Sequence, residues 1–271
     1  MFGIHKNYHK LFESYIFAIE EKDRIAILYH TDCDGVCSCA IIKKTIHNLL
    51  DKDAFIFTQK CGRICIEKDT VELLKREKIN KLIIVDMAVD ETKDHLKEIE
   101  NFADILIIDH HIKKADLNSS KTIFIKAEDY APDIDSSKYP ASKLCFDFAK
   151  PLIKSRKLIN DLKFMSSIGI SGDAGYDFWT EKGFLKKQDK PKIQKADRVI
   201  SAYFSIVGNY NNIANILQND ELEKNINKLI IEKREISQYY FDIEKELQRL
   251  GLELDHKASF LKDKKGNIIL V

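Results

Sequence analysis

Five short runs along the chain are candidate strands, three of them near-continuously apolar: 24–30 (RIAILYH), 54–58 (AFIFT), 81–86 (KLIIVD), 104–109 (DILIID) and 122–126 (TIFIK). Near-continuous apolar runs of this length fit strands covered on both faces, as in a parallel sheet. Between them, apolar positions recur at helical spacing over 36–50, 66–78 and 91–102. An amphipathic helix is also predicted over 8–20, ahead of the first strand. Strand–helix alternation at these intervals predicts an α/β fold built on an open, mainly parallel sheet flanked by helices.

After Pro140 the pattern changes. Helices are predicted over 141–153 and 161–170, followed by a polar, basic stretch at 186–195 (KKQDKPKIQK) around Pro191. Long helical patterns then cover 198–217 and 221–250, the second rich in Glu, Lys and Arg. At the end, DKKG at 263–266 between two apolar runs signals a hairpin. Its last residues, IILV, form an apolar edge that either joins a sheet or belongs to the front portion of a longer chain. The expected organisation is an α/β unit over 1–185, a helical extension or linker over 186–257, and a C-terminal hairpin over 258–271.

The chain has 271 residues, 44% apolar and 32% charged, with 44 Lys+Arg against 43 Asp+Glu and a net charge of +1. That balance excludes global disorder and a protein that coats nucleic acid through sheer basicity, so any nucleic-acid contact must be local. No apolar run approaches the roughly 20 residues of a membrane helix, and the N-terminus lacks a signal core, so a soluble cytoplasmic protein is expected. Cys33, Cys37, Cys39, Cys61 and Cys65 lack the two-residue spacing of a zinc knuckle. They read better as small reduced core residues.

Acidic residues and histidines gather where the strands end: His30-Thr31-Asp32-Cys33-Asp34-Gly35 after the first, Asp86 after the third, and Asp109-His110-His111 after the fourth. In a parallel sheet these share one edge, outside the carboxyl ends of the strands, where α/β folds place ligands. Residues two apart in extended chain point the same way, so His30, Asp32 and Asp34 can project together. Gly35 is read as permitting a tight turn into a helix starting near Val36. Singly, each feature is an ordinary cap or turn residue. Together, clustered carboxylates call for cations, and an Asp/His set suits Mn²⁺ or Mg²⁺. Two such ions can activate water for in-line attack on phosphorus. A fourth element, GISGDAGYD at 169–177, adds Asp173 among glycines expected to break a helix and bring backbone close to a ligand.

In order, HTDCDG at 30–35, Asp86, DHH at 109–111 and GDAG at 172–175 resemble the DHH phosphoesterase superfamily, over about residues 24–180. The compact HxDxDG form is most similar to the RecJ-like nucleases, especially the archaeal branch. Family II pyrophosphatases and nano-RNA phosphodiesterases place the first histidine four residues before the first Asp, where Leu28 stands here. The resemblance implies that His30, Asp32 and Asp86 hold one metal and that Asp34, Asp86, His110 and Asp173 hold the second. It implies that Asp109 orients the histidines and that His111 contacts the scissile phosphate. It also implies a second, DHHA1-type domain with adjacent glycines. No two glycines are adjacent here, so that domain would be missing or supplied in cis or in trans.

The reading that follows is a metal-dependent phosphodiesterase or exonuclease acting on single-stranded DNA or RNA, using two Mn²⁺ or Mg²⁺ ions. Lys186, Lys187, Lys190, Lys192, Lys195 and Arg198 are the candidates to guide the nucleic-acid backbone, against a solvated loop. Phe178 and Trp179 are candidates to stack a base, against simple packing, and Asp177 is a candidate extra acid. The alternatives are a phosphohydrolase on pyrophosphate, cyclic dinucleotides or nano-RNA, and a replication-associated RecJ-like scaffold. Replication or repair proteins are the expected partners.

Overall fold

The computed structural model describes residues 7–59, 64–91, 94–207 and 210–218, and a few positions between 226 and 249. All five expected strands form: β1 (Ile25–Tyr29), β2 (Phe55–Phe57), β3 (Lys81–Val85), β4 (Asp104–Asp109) and β5 (Thr122–Lys126). They make one parallel sheet in the order β2-β1-β3-β4-β5. The helices are α1 (Tyr8–Phe17), α2 (Cys33–Leu50), α3 (Lys68–Arg76), α4 (Asp94–Glu100), α5 (Ala127–Tyr130), α6 (Ala141–Ala149), α7 (Arg156–Gly172), α8 (Tyr176–Glu181), α9 (Lys190–Val207) and α10 (Tyr210–Gln218).

The continuous apolar runs divide by parity. Ile25, Ile27, Tyr29, Ile83, Val85, Leu106 and Ile108 pack into a large core that includes side chains of α1, α2, α6, α7, α9 and α10. Ala26, Leu28, Leu82, Ile84, Ile105 and Ile107 form a second core with α3 and α4. Both sheet faces are thus covered, which is why the strands show no polar alternation. Ile193, Val199 and Ile200 of α9 and Ile213 and Leu217 of α10 lie in the same large core as α2 and α7.

Several local expectations are corrected. The basic stretch at 186–195 is not all loop: α9 begins at Lys190, and Pro191 falls in its first turn, where a missing N–H is tolerated. The pattern over 198–217 divides into α9 and α10, with 208 and 209 outside the described residues. The helix expected at 161–170 runs from Arg156 to Gly172, capped by Ser155, whose side chain accepts from the Leu158 N–H. Most of the helix expected over 221–250, and the whole hairpin at 258–271, lie outside the described residues.

The glycines also act differently from the expectation. Helix α2 starts at Cys33 with Asp32 as its N-cap, so Gly35 sits inside the first turn. A Cβ there would lie 2.3 Å from the His30 carbonyl oxygen, so glycine lets α2 rise directly against the end of β1. Gly169 and Gly172 do not break α7. A Cβ at Gly169 would lie 2.3 Å from Ser142 Oγ and 2.6 Å from Asp34 Oδ1, and one at Gly172 would lie 2.8 Å from Cys33 Cβ. They let α7 press closely onto α2 and α6. The helix ends in a Schellman arrangement: the Gly175 N–H donates to the Ile170 carbonyl (2.8 Å) and the Ala174 N–H to the Ser171 carbonyl (3.1 Å). The left-handed residue is Ala174, at φ 54°.

Two stability outcomes follow, both measurable by urea denaturation. Gly35→Ala and Gly169→Ala should each cost about 1–3 kcal/mol, the scale of overpacking a well-filled contact. Ala174→Gly should instead stabilise by about 1 kcal/mol, because it removes a side chain from left-handed backbone.

Candidate metal centre

Strand register assembles the site. The last fully paired rung runs Tyr29–Val85–Ile108–Ile125. One residue further along each strand come His30, Asp86, Asp109 and Lys126, the last two paired in register. Every strand from β1 through β3 and β4 to β5 therefore delivers a chargeable side chain to the same rim. Asp86 takes φ 60°, a left-handed backbone that Asp tolerates better than most residues.

Asp86 occupies the centre and is buried. His30 Nδ1 lies 2.7 Å from Asp32 Oδ2 and 3.7 Å from Asp86 Oδ2. His110 Nε2 lies 3.1 Å from Asp86 Oδ1 and 3.2 Å from Asp173 Oδ2, while His111 Nδ1 lies 4.0 Å from Asp86 Oδ1. Ligand atoms within 4.8 Å of one another define three overlapping groups: His30, Asp32 and Asp86; Asp34, His110 and Asp173; and Asp86, His110 and His111. The first two of these join residues expected to share an ion.

The remaining partners orient the set. Asp32 caps α2 through Oδ1, which accepts from the Gly35 N–H at 2.8 Å, and keeps Oδ2 toward His30. Asp34 is buried, and its carboxylate accepts the Ala141 N–H (2.7 Å) and the Ser142 N–H (3.1 Å) at the start of α6. His110 Nδ1 lies 3.3 Å from the Ser136 carbonyl oxygen, which can only accept, so Nδ1 carries the proton and Nε2 faces the two carboxylates. Asp109 Oδ1 accepts from the His111 ring at 2.7 Å and from the backbone N–H groups of His110 and His111.

The electrostatics report a shortage of positive charge. Burial opposes a charged ring at both His30 and His110. Asp32 and Asp86 nonetheless push His30 up to about 10, and Asp86, Asp34 and Asp173 push His110 up to about 11. Burial, then the charge of Asp86, raises Asp173 to about 7. Burial with Asp173 and Asp86 raises Asp34 well above the carboxylate range. Burial would raise Asp86 too, but the two histidines hold it well below that range. Both Asp86 oxygens are buried, with the ring nitrogens of His30, His110 and His111 at 3.1–4.0 Å and no other hydrogen-bond donor among the described residues. A buried carboxylate left open in this way, ringed by imidazole nitrogens and further carboxylates, fits a divalent cation.

Sequence reasoning missed Lys126 and Asp90. Lys126 is fully buried; its ammonium contacts Asp109, lies 3.2 Å from Asp90 Oδ1, and donates to the His111 carbonyl at 3.0 Å. Asp90 Oδ2 accepts the Lys114 N–H (2.6 Å) and the Ala115 N–H (3.2 Å), so one ion network pins the chain just beyond the histidines. The available signal was a lysine closing an apolar strand, TIFIK, which reads equally as a strand end meeting solvent. Burial pushes up Asp109, but His111 and Lys126 outweigh it and hold the carboxyl below its usual range.

Other candidates fall elsewhere. Asp177 is exposed and pairs with Lys190 at 2.6 Å, away from the cluster. Trp179 is buried, its indole N–H donating to the Lys138 carbonyl at 2.7 Å, so it packs instead of stacking a base. Lys186, Lys187, Lys192 and Lys195 are exposed, and Lys190 and Arg198 half-buried, at and before the start of α9. Cys33, Cys37, Cys39 and Cys145 are buried free thiols, and among the described residues no cysteine joins a candidate ion group. No helix among the described residues is long and apolar enough to cross a membrane.

Comparison with known proteins places this geometry. No curated protein matches the sequence. Among solved structures, the fold is similar to exonuclease RecJ bound to manganese, at 15% identity and TM-score 0.63, covering 93% of this chain and 70% of that one. It is also similar to the DHH domain of a member of a family of ribosomal proteins, at 16% identity and TM-score 0.59, covering 90% and 61%. RecJ from Thermus thermophilus in complex with Mn²⁺ gives 14% identity and TM-score 0.58, covering 93% and 41%. This chain thus spans between 41% and 70% of the length of those proteins, and at such identities the likeness is one of fold. The family model described as "DHH family, N-terminal domain" matches residues 24–168, more than half of the sequence and three of the four strand-end and glycine elements that build the site. The chain belongs to the DHH family.

Proposed function

We propose that this protein is a metal-dependent phosphodiesterase that cleaves single-stranded DNA or RNA exonucleolytically, with two divalent ions held among His30, Asp32, Asp34, Asp86, His110 and Asp173. Family membership supports a metal-dependent phosphoesterase. The observation that carries the reading is Asp86, buried, with no hydrogen-bond donor besides imidazole rings, and present in two of the three groups of ligand-competent atoms.

Bound there, such ions would supply Lewis-acid stabilisation and a nucleophile at neutral pH. The chain's own residues do the rest. Asp32 and Asp34 present oxygens fixed by the N-termini of α2 and α6, so the carboxylates need little reorganisation. The Ser136 carbonyl keeps the His110 proton on Nδ1 and Nε2 toward the ligands. His111, the more exposed of the pair, is held by Asp109 through Nδ1, leaving Nε2 to meet a phosphate oxygen or protonate the leaving oxygen. Burial lowers the His111 pKa, but its bond to Asp109 is the larger influence and raises it, which favours that donor role. The lysines at and before α9 would guide the strand.

Product analysis with 5′- and 3′-labelled single-stranded DNA and RNA tests the substrate. Mn²⁺-dependent release of short products, abolished by chelator, is expected, and Asp86→Asn should lower turnover by more than about 100-fold, beyond the usual cost of losing an outer-shell partner. Turnover of pyrophosphate equal to that of the strand would instead place the substrate among small phosphoanhydrides. Unchanged turnover in Asp86→Asn would leave a scaffold role.

Thermal melting tests the ions without any substrate. Mn²⁺ at about 100 times its Kd should stabilise the protein by about 2.7 kcal/mol. Each kcal/mol should read as roughly 2–4 °C in a chain of this size. Asp86→Asn should lose that shift.

A further inference from the structure

Helices α7 and α9, Tyr176 of α8 and the 184–189 segment line a half-open cavity of about 290 Å³ whose lining includes Lys163, Phe164, Phe184, Lys186 and Lys192. At 3.6 residues per turn, the lining residues Asn160, Lys163 and Ser167 fall roughly opposite Gly169 and Gly172 on α7. The cavity therefore lies on the side of α7 turned away from α2, apart from the acidic cluster. Its lining carries three lysines against a single acid, Asp189. That excess stands out in a chain whose net charge is only +1.

Two of the ammonium groups are held over aromatic rings. Lys163 Nζ lies 4.7 Å from the Phe184 centroid, and Lys192 Nζ 5.0 Å from that of Phe164. Such contacts hold an ammonium group in place. The backbone of Lys186 is fixed as well, because the Tyr176 hydroxyl donates to its carbonyl at 2.9 Å. Burial, together with Lys186 and Lys150, holds Lys163 below the ordinary lysine range, with only Asp189 acting against them. A positively charged, half-apolar cavity at the small end of ligand pockets has room for one phosphate with its sugar or base.

We propose that this cavity is a nucleotide-binding site in which Lys163, Lys186 and Lys192 take a phosphate while Phe164 and Phe184 bound the space for the sugar or base. The proposal rests on the nuclease reading for its ligand class. The nucleotide comes either from the bound strand or from mononucleotide released by cleavage; the shared chemistry is a phosphate attached to a flat ring.

The test uses the full chain with chelator present, so that binding is read without hydrolysis. A labelled oligothymidylate, dTMP and inorganic phosphate are titrated against wild type and Lys163→Gln/Lys186→Gln, with melting temperature as the check on folding. The double variant should bind the oligonucleotide at least about tenfold more weakly. Its log K against log salt slope should shrink by about 0.7, the loss of one phosphate on a single strand. Parallel weakening of dTMP assigns the site to released nucleotide as well as the strand, and weakening of the oligonucleotide alone assigns it to the strand. Unchanged affinity and slope for both ligands would overturn the proposal, and inorganic phosphate binding as tightly as dTMP would overturn its nucleotide class. Should the double variant fail to fold, Lys186→Gln at an exposed side chain gives the same readout at smaller size. Failure of strand cleavage with Mn²⁺ would sink the nuclease reading, and it is measured separately from this binding.

Discussion

Repulsion among buried carboxylates is the constraint on which the rest of this structure turns. Asp34, Asp86 and Asp173 come together with Asp32 nearby, and in a low-dielectric setting like charges at such distances oppose one another by several kcal/mol unless something positive intervenes. The histidines partly answer the demand, which is why His30 and His110 hold protons far above the usual imidazole range. Protonated imidazoles and doubly charged ions compete for the same place. Under the proposed two-ion reading, metal loading would therefore release protons.

The scaffold makes that arrangement tolerable by giving nearly every acid a second task. Asp32 caps α2, Asp34 receives the first amides of α6, and Asp173 is the residue that closes α7 before its left-handed turn. Each of these acids is thus fixed by a helix end whose partial charge suits it, or stands where a helix stops. Asp109 differs: its charge is answered by the buried Lys126, so it is spent on aligning His111. Asp86 is buried with imidazole rings as its neighbouring donors, and among the described residues it belongs to two of the three candidate ion groups, as does His110.

Much of this was readable from the residues alone. The five apolar runs gave the sheet because both of its faces are covered, and the acids immediately following three of them had to share an edge once the strands were parallel. What escaped reading depends on contacts between distant segments. Gly35 and Gly169 look like turn residues in sequence, and only the approach of α2 to β1 and of α7 to α6 shows that they are there for space. Lys126 looks like a strand end meeting solvent until β5 pairs with β4 and sets it against Asp109. Pro191 suggested a loop because proline usually interrupts helices, whereas in a first turn it interrupts nothing. Asp177 and Trp179, close in sequence to Asp173, turn toward Lys190 and toward the core, since α7 ends at the left-handed Ala174 before them.

The central claim is that two divalent ions sit side by side around Asp86. Electron paramagnetic resonance of the protein loaded with two equivalents of Mn²⁺ addresses it directly, because neighbouring manganese ions bridged by a carboxylate couple magnetically. The account predicts the many-line spectrum of a coupled pair, collapsing to an isolated-ion signal in Asp86→Asn. The simple six-line spectrum of separate Mn²⁺ ions in the unaltered protein would contradict it.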